Sequence, residues 1–243
     1  MQPRLGRARL QYERSLRSIG THVGKLITGV AKGENWLEAV PTLRQLLEGY
    51  ATALVPWARI TAQRMLNEID ARDRDSWRSL GSAISLQLRN DIQKAPVGIR
   101  LRELLAEEVH LIRSIPAAAA ERVHQLSLKA LENSERYQEL TKEVMRSGEV
   151  SRSHATLIAR TETARTATAL TQVRAEAAGS THYVWETAGD SSVRPGHKAM
   201  QGQVCTWADP PAVDEGDGRI MHHHPGAIWN CRCWARPIVD LDS

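Results

Sequence analysis

Apolar positions recur at steps of three and four through most of the first two-thirds of the chain, the spacing that lines one face of an α-helix. In NWLEAVPTLRQLLEGY, Trp36, Val40, Leu43, Leu47 and Tyr50 form one such stripe, with Pro41 near a helix start or at a kink. A second stripe, over about residues 51–73, contains Pro56 and predicts a further break. A third joins Trp77, Leu80, Ile84, Leu88 and Ile92. It should stop before Pro96, because the residue ahead of a proline resists the helical region. A fourth runs over about 97–113 through Leu101, Leu104, Leu105, Val109 and Ile112. Pro116 then opens the next helix, a position where its missing N–H is tolerated. A short helix near 135–147 is expected to end at Gly148.

SHATLIARTETARTATALTQVRAEAAG is helical by propensity but built from small residues, including Ala155, Ala159, Ala164, Ala167 and Ala169 interleaved with threonine. Ser153 suits an N-cap and Gly179 a C-cap. Small side chains let another backbone come close. Glu162 and Arg165, three apart, can pair, whereas Arg160 and Glu162, two apart, do not share a face. Two readings stand: a surface ion pair on a closely packed helix, or Arg160 and Glu162 reaching into the region that follows.

Past Gly179 the period changes from helical to alternating. In THYVWETAGD, His182, Val184 and Glu186 fall on one side of a strand and Tyr183, Trp185 and Thr187 on the other. Residues 208–227 are dense in Pro, Gly and acidic residues and read as a long irregular loop, a feature that is usually functional or clamped. NCRCWARPIV reads as a closing strand. The fold class is therefore mainly α: an extended helical N-terminal body followed by a small α+β C-terminal unit.

Composition agrees with this division. Phe is absent, and all three cysteines and six of the nine histidines lie after residue 150. No apolar run approaches the length of a membrane span, and MQPRLGRARL lacks the apolar core of a secretory leader. Three cysteines do not make a disulfide framework. The net charge of +4 is uneven: residues 1–32 hold seven basic residues against Glu13 alone. Arg4, Arg7, Arg9, Arg14 and Arg17 on this arm are candidates for non-specific contact with the phosphates of double-stranded DNA. A solvated terminus is the plainer alternative.

The candidate chemistry lies at the far end. On a strand, Cys231 and Cys233 would face one way and Arg232 the other. Adjacent in that sense, they are poorly placed to bond to each other. They can converge with His197 on one tetrahedral metal, and zinc suits such donors. Asp190, Cys205 or one of His222, His223 and His224 would supply the fourth ligand. A disulfide from Cys205 to either partner, or free buried thiols, are the alternatives. A small unit with little aliphatic core gains from a metal staple. Asp190, Arg194 and His197 form a second constellation, in which Asp190 accepts hydrogen bonds from Arg194 or orients His197. An enzyme would use His197 as general base with Asp190 behind it. No phosphate loop, nucleophile elbow or zinc-protease histidine pair accompanies them, and the chain reads as a non-enzyme.

Three groups of residues together carry a resemblance. They are ARTE at 159–162, then Trp185, Asp190, Arg194, His197 and Gly202 in one spaced run, then Gly226, Asn230, Cys231, Arg232 and Cys233. In order and spacing these, with Arg160, Thr161 and Glu162, resemble the phage Mu F-like minor head (head morphogenesis) family over roughly residues 97–240. LIRSIP at 111–116 is similar to that family's lead-in, while residues 1–96 match only in being helical. The triple histidine exceeds the family pattern. The resemblance implies a minor capsid protein of a tailed phage or prophage, acting in procapsid assembly near the portal. Its partners would be the portal and the major capsid or scaffolding protein. It would sit in the capsid interior or beside the portal, and in the host cytoplasm during assembly. A DNA-associated internal head protein ejected with the genome, and a metal-dependent hydrolase, are the competing readings. The expected organisation is a helical region with a basic arm at 1–96, the helical part of the Mu F-like region at 97–179, and a Cys/His-containing α+β unit at 180–243.

Overall fold

The structure is a computed structural model and describes residues 5–32, 36–79, 86–132, 137–216 and 218–239. Helices α1 (Gly6–Ala31), α2 (Trp36–Ala53), α3 (Val55–Ser79), α4 (Leu86–Lys94), α5 (Val97–Glu132) and α6 (Tyr137–Ala177) come first. Strand β1 (His182–Glu186), helix α7 (Pro195–Ala199) and strands β2 (Val204–Thr206), β3 (Ala212–Asp214), β4 (Ile220–His222) and β5 (Trp234–Pro237) follow. The fold is mainly α with a small α+β unit at the C-terminal end, as the change of period predicts.

Prolines and glycines do not all punctuate as the sequence suggests. The break before Pro56 is real: α2 ends at Ala53, and Pro56 is the second residue of α3, where no intrahelical donor is needed. Trp77 belongs to the last turns of α3, while Leu88 and Ile92 belong to α4. Leu80 and Ile84 lie outside the described residues. Pro116 does not open a helix. It is embedded in the continuous α5, where Ile112 and Ile115 are fully buried and Ala119 and Ala120 nearly so. Burying two isoleucines contributes about 1.5–3 kcal/mol each, enough to offset the ~3 kcal/mol that an interior proline costs. Likewise α6 runs straight through Gly148 and Ser153. It stops where predicted, at Gly179 (φ 76°). There the N–H groups of Gly179 and Ser180 donate to the carbonyls of Glu176 and Ala175 at 3.0 and 2.9 Å, closing a Schellman turn.

Two compact units are assembled from non-consecutive segments. One comprises Leu10–Gln63 and Leu105–Ala159. Its core is the apolar stripe of α1 (Leu16, Ile19, Val23, Ile27) with Trp36, Leu43, Leu47, Ile112 and Val144. Gly148 of α6 meets α1 here: a Cβ at Gly148 would lie 2.5 Å from the Cα of Gly24, and one at Gly20 would lie 2.7 Å from the backbone N of Arg152. Two helix backbones can approach this closely only without side chains between them. The Tyr12 hydroxyl donates to Glu108 at 2.6 Å, satisfying a carboxylate that is 1% exposed.

The other unit comprises Met1–Arg9, Arg64–Leu104 and Arg160–Ser243. It holds a three-stranded antiparallel sheet in the order β2-β1-β5, with Tyr183 opposite Cys205 and Glu186 opposite Trp234. The alternation predicted for β1 places Tyr183 and Trp185 in the core with no exposure. They pack with Trp207, Val213, Ile228 and Ala235, and with Trp77, Leu88, Ile92 and Ala175 from the helices. The segment 208–227 is not wholly irregular: β3 and β4 form a hairpin, with Val213 opposite Met221. Arg174 of α6 is 3% exposed and forks onto Asp70, at 2.5 Å, and Asp73 of α3. Thr171 adds a hydrogen bond to Asp73 at 2.7 Å.

Candidate metal centre

Helix α7 is five residues long, starts on Pro195, and takes Arg194 as its N-cap. Gly196 lies so close to β3 that a Cβ there would sit 2.0 Å from the carbonyl oxygen of Asp214. This contact fixes the next residue, His197, which is 2% exposed and packs edge-on against Trp185 at 5.7 Å. Both cysteines precede β5 rather than lying on it, so the strand expected to aim them is absent at that point. A turn does the work instead. Asn230 adopts a left-handed conformation (φ 56°), and its N–H donates to Thr161 on α6 at 3.2 Å. Gly226 (φ 82°) sits against α6, where a Cβ would lie 2.9 Å from Thr168 Oγ1 and 3.2 Å from Ala164 O. Thr168 Oγ1 itself donates to Pro225 O at 2.6 Å. The small residues of α6 therefore form the seat of the cysteine turn.

The result is a convergent cluster. His197 Nδ1 lies 3.4 Å from Cys231 Sγ and 3.5 Å from Cys233 Sγ. Cys231 Sγ also accepts from the N–H groups of Gly226 at 3.3 Å and Cys233 at 3.4 Å. On the far side of the ring, His197 Nε2 lies 3.1 Å from Glu215 Oε1, which His223 Nε2 approaches at 2.7 Å. Arg194 pairs with the second oxygen of Glu215 at 3.2 Å and donates to Trp229 O at 2.9 Å. The neighbouring Cys233 thiol and the His197 ring, working against burial, bring the Cys231 thiol down to about 4. The same contact with Cys231, reinforced by burial, drives Cys233 upward. Burial lowers His197, but its bonds to Cys231 and Glu215 outweigh this and raise it.

The spacing fits a metal. With Zn–N near 2.05 Å and Zn–S near 2.3 Å, a tetrahedral ion separates a nitrogen from a sulfur ligand by about 3.5–3.6 Å. Zinc ligation by histidine is commonly backed by a carboxylate on the other ring nitrogen, the position Glu215 holds. Among the described residues, His197, Cys231 and Cys233 form one set of close donor atoms, and His197, Glu215 and His223 another.

The other residues expected at the site go elsewhere. Asp190 is exposed and turned to Arg232, whose two guanidinium nitrogens reach its oxygens at 2.5 and 2.7 Å. It neither pairs with Arg194 nor orients His197; Glu215 does both. Cys205 is buried on β2, and all three cysteines are free thiols. His224 Nδ1 contacts the Tyr183 hydroxyl at 2.9 Å, and His222 Nδ1 contacts Pro210 O at 3.0 Å. None of Asp190, Cys205, His222 and His224 joins the sulfur cluster, and His223 meets it at one remove, bonded to Glu215 and with its ring 5.5 Å from that of His197. Nothing in PAVDEGDG distinguishes Glu215 from the acids beside it. Glu162 pairs with Arg165 at 3.3 Å as its spacing predicts, and Arg160 lines a groove that also holds both cysteines. Gly202 (φ 78°) turns the chain between α7 and β2, its N–H donating to Trp185 O at 2.8 Å. On α1, Arg7, Arg14 and Arg17 are exposed and Arg9 half-buried, while Arg4 lies outside the described residues.

Residues 121–236 match the family described as Phage Mu protein F like protein. Over that stretch, just under half of its length, the chain is similar to the phage Mu F-like family. That match takes in the seat on α6, the sheet, α7 and the cysteine turn, so the Mu F-like residues Thr161, His197, Gly226, Asn230, Cys231 and Cys233 form one connected structure. A similar protein is an uncharacterized protein of Haemophilus influenzae (strain ATCC 51907 / DSM 11121 / KW20 / Rd), 29% identical over 160 residues, or 66% of this chain. The chain spans about a third of the length of that relative. No solved structure matches.

Proposed function

We propose that the protein is a minor head component of a tailed phage or prophage, acting in procapsid assembly near the portal. The Mu F-like match over residues 121–236 carries this reading. It is supported by the absence, among the described residues, of any helix long and apolar enough to cross a membrane. The protein is expected to copurify with immature heads and with the portal when the phage is induced. Infectious, normally shaped heads from a phage lacking the gene would overturn the assignment.

Within this role, His197, Cys231 and Cys233 hold one zinc ion that staples the C-terminal unit. The separations of 3.4 and 3.5 Å from one imidazole nitrogen to two sulfurs support it, as does the carboxylate behind the ring. Elemental analysis of the full-length protein purified without chelator should give one equivalent of zinc, lost in Cys231→Ser. A metal-free wild type would refute the staple.

Exposed Arg7, Arg14 and Arg17 favour a second reading, contact with the packaged genome. Binding to duplex DNA should be weak, indifferent to sequence and steeply salt-dependent, because phosphate contacts release counterions. Unchanged binding after replacing these arginines by glutamine would eliminate it.

A further inference from the structure

We infer that His197, Glu215 and His223 form a second divalent-metal site, lined by nitrogen and oxygen, on the far side of the His197 ring from the cysteines. Neither sulfur is among its ligands, so it does not depend on the zinc reading above.

The placement of the donors comes first. His197 stands on α7, Glu215 follows β3 and His223 follows β4. Asp214 pairs with Ile220 and Ala212 with His222, so Glu215 and His223 come from opposite ends of the hairpin. Their side chains nevertheless meet. Glu215 Oε1 lies 2.7 Å from His223 Nε2 and 3.1 Å from His197 Nε2. All three side chains are buried, the carboxylate at 1% exposure, and Trp185 packs 5.7 Å from both rings. Ligands about 2.1 Å from an ion and about 90–110° apart lie roughly 3.0–3.4 Å from one another. The His197 contact already fits this, and that of His223 has to open by about 0.3 Å.

The state of His223 comes second. Its Nδ1 lies 3.0 Å from the carbonyl oxygen of His224, which can only accept. The hydrogen of the neutral ring is therefore on Nδ1, and the lone pair of Nε2 is turned to Glu215, the form in which imidazole ligates a metal. A lone pair 2.7 Å from a carboxylate oxygen is repelled unless a cation lies between them. His222 and His224 take no part, for they contact Pro210 O and the Tyr183 hydroxyl. The run of three histidines thus contributes one inward ligand.

Charge comes third. Arg194 holds Glu215 Oε2 at 3.2 Å, which leaves Oε1 to the ion. With both sites filled, His197 gives up its Nε2 proton to solvent and bridges the two ions as an imidazolate. Two divalent ions then face two thiolates, one imidazolate and one carboxylate, and the charges cancel, as burial demands. Two imidazoles and a carboxylate suit a divalent transition metal, whereas calcium and magnesium call for oxygen donors. An ion here ties both ends of the hairpin to α7, the clamp expected for the segment 208–227.

The test uses the full-length, untagged protein loaded with cobalt(II), whose thiolate charge-transfer bands mark the sulfur site and whose weaker visible bands report every bound ion. Wild type should take up two equivalents, magnetically coupled through the shared ring. His223→Gln should lose one equivalent and keep the thiolate bands. Cys231→Ser combined with Cys233→Ser should lose those bands and keep the other equivalent. His222→Gln, altered at an exposed position, should match wild type. A wild type that takes up one equivalent, unchanged in His223→Gln, would overturn this inference and leave the staple intact, and this stoichiometry decides the case even if His223→Gln does not fold. One equivalent that survives loss of both cysteines but not His223→Gln would do the reverse. Loss of the second ion in His222→Gln as well would show adventitious capture by the histidine run and overturn the site. Two equivalents without magnetic coupling would overturn the bridging role of His197. No uptake at all would bring down the staple and this inference together.

Discussion

Gly196→Ala tests how His197 is held. The new methyl would sit 2.0 Å from Asp214 O, 2.9 Å from its carbonyl carbon and 3.3 Å from its Cα. All three are backbone atoms, so no side chain can swing aside. Restoring an ordinary contact near 3.4 Å requires α7 and β3 to part by roughly 1.4 Å. His197 is the next residue and moves with α7, and metal sites tolerate only about 0.2 Å in ligand distance. Overpacking of this kind costs about 1–3 kcal/mol, and loosening the buried His197–Glu215 bond adds about 1 kcal/mol. The expected total of about 2–4 kcal/mol should lower the urea midpoint by about 1–2 M for a slope near 2 kcal/mol/M. Zinc content should fall below one equivalent. Gly98→Ala is the control: its methyl would meet only Arg102 Nη1, at 3.9 Å. It should be neutral or stabilise α5 by up to about 1 kcal/mol. Wild-type stability and full zinc in Gly196→Ala would refute the positioning argument.

Three other perturbations address the body of the protein. Gly148→Ala gains about 1 kcal/mol of helix propensity but drives a methyl to 2.5 Å from Gly24 Cα. Thermal melts should show a net loss of about 2 kcal/mol, whereas Gly29→Ala, into open space, should not destabilise; equal behaviour of the two would contradict the close crossing. Arg174→Ala strands Asp73 as a largely buried, uncompensated carboxylate, while Asp70 keeps Arg74 at 3.2 Å, and should cost about 3–5 kcal/mol. Adding Asp73→Asn should recover part of this, and a merely additive double variant would argue against the network. Burial pushes the Glu186 carboxyl upward, but hydrogen bonds from Gln201 and Arg236 outweigh it and hold it below its ordinary value. Its stabilisation is therefore present above the usual glutamate range and lost as pH falls through the lowered value. Glu186→Gln should flatten the acid limb of a urea-midpoint profile below about pH 4.3, and an unchanged limb would count against it.

Much of the fold is written in local patterns. The Pro56 break, the Gly179 stop and the two faces of β1 each depend on neighbours in sequence. At Pro116 and Gly148 the local preference to end a helix is outweighed by partners distant in sequence, a packed core around one and the backbone of α1 across from the other. The convergence of Cys231, Cys233 and His197 was legible, but for a different reason: a turn pinned by Asn230 and Gly226 replaces the expected strand. Glu215 was not legible. It lies 18 positions along the chain from His197, and only the β3–β4 hairpin and the Gly196 contact put them together. Spacing alone pairs Asp190 with nearby Arg194, whereas its partner Arg232 lies 42 residues away.

The antiparallel pairing of β1 with β5 also bears on the order in which the molecule forms. Glu186 and Arg236, joined by an ion pair across these strands, are 50 residues apart. Bringing such ends together costs on the order of 3.5 kcal/mol in chain entropy, (3/2)RT ln n, before any strand contact is made. Helix turns close over four residues and propagate in nanoseconds, so α6 and its row of small residues exist well before the sheet is complete. The cysteine turn then arrives at a surface already shaped for Pro225 and Gly226. The groove beside the cysteine turn is then among the last parts of the C-terminal unit to form.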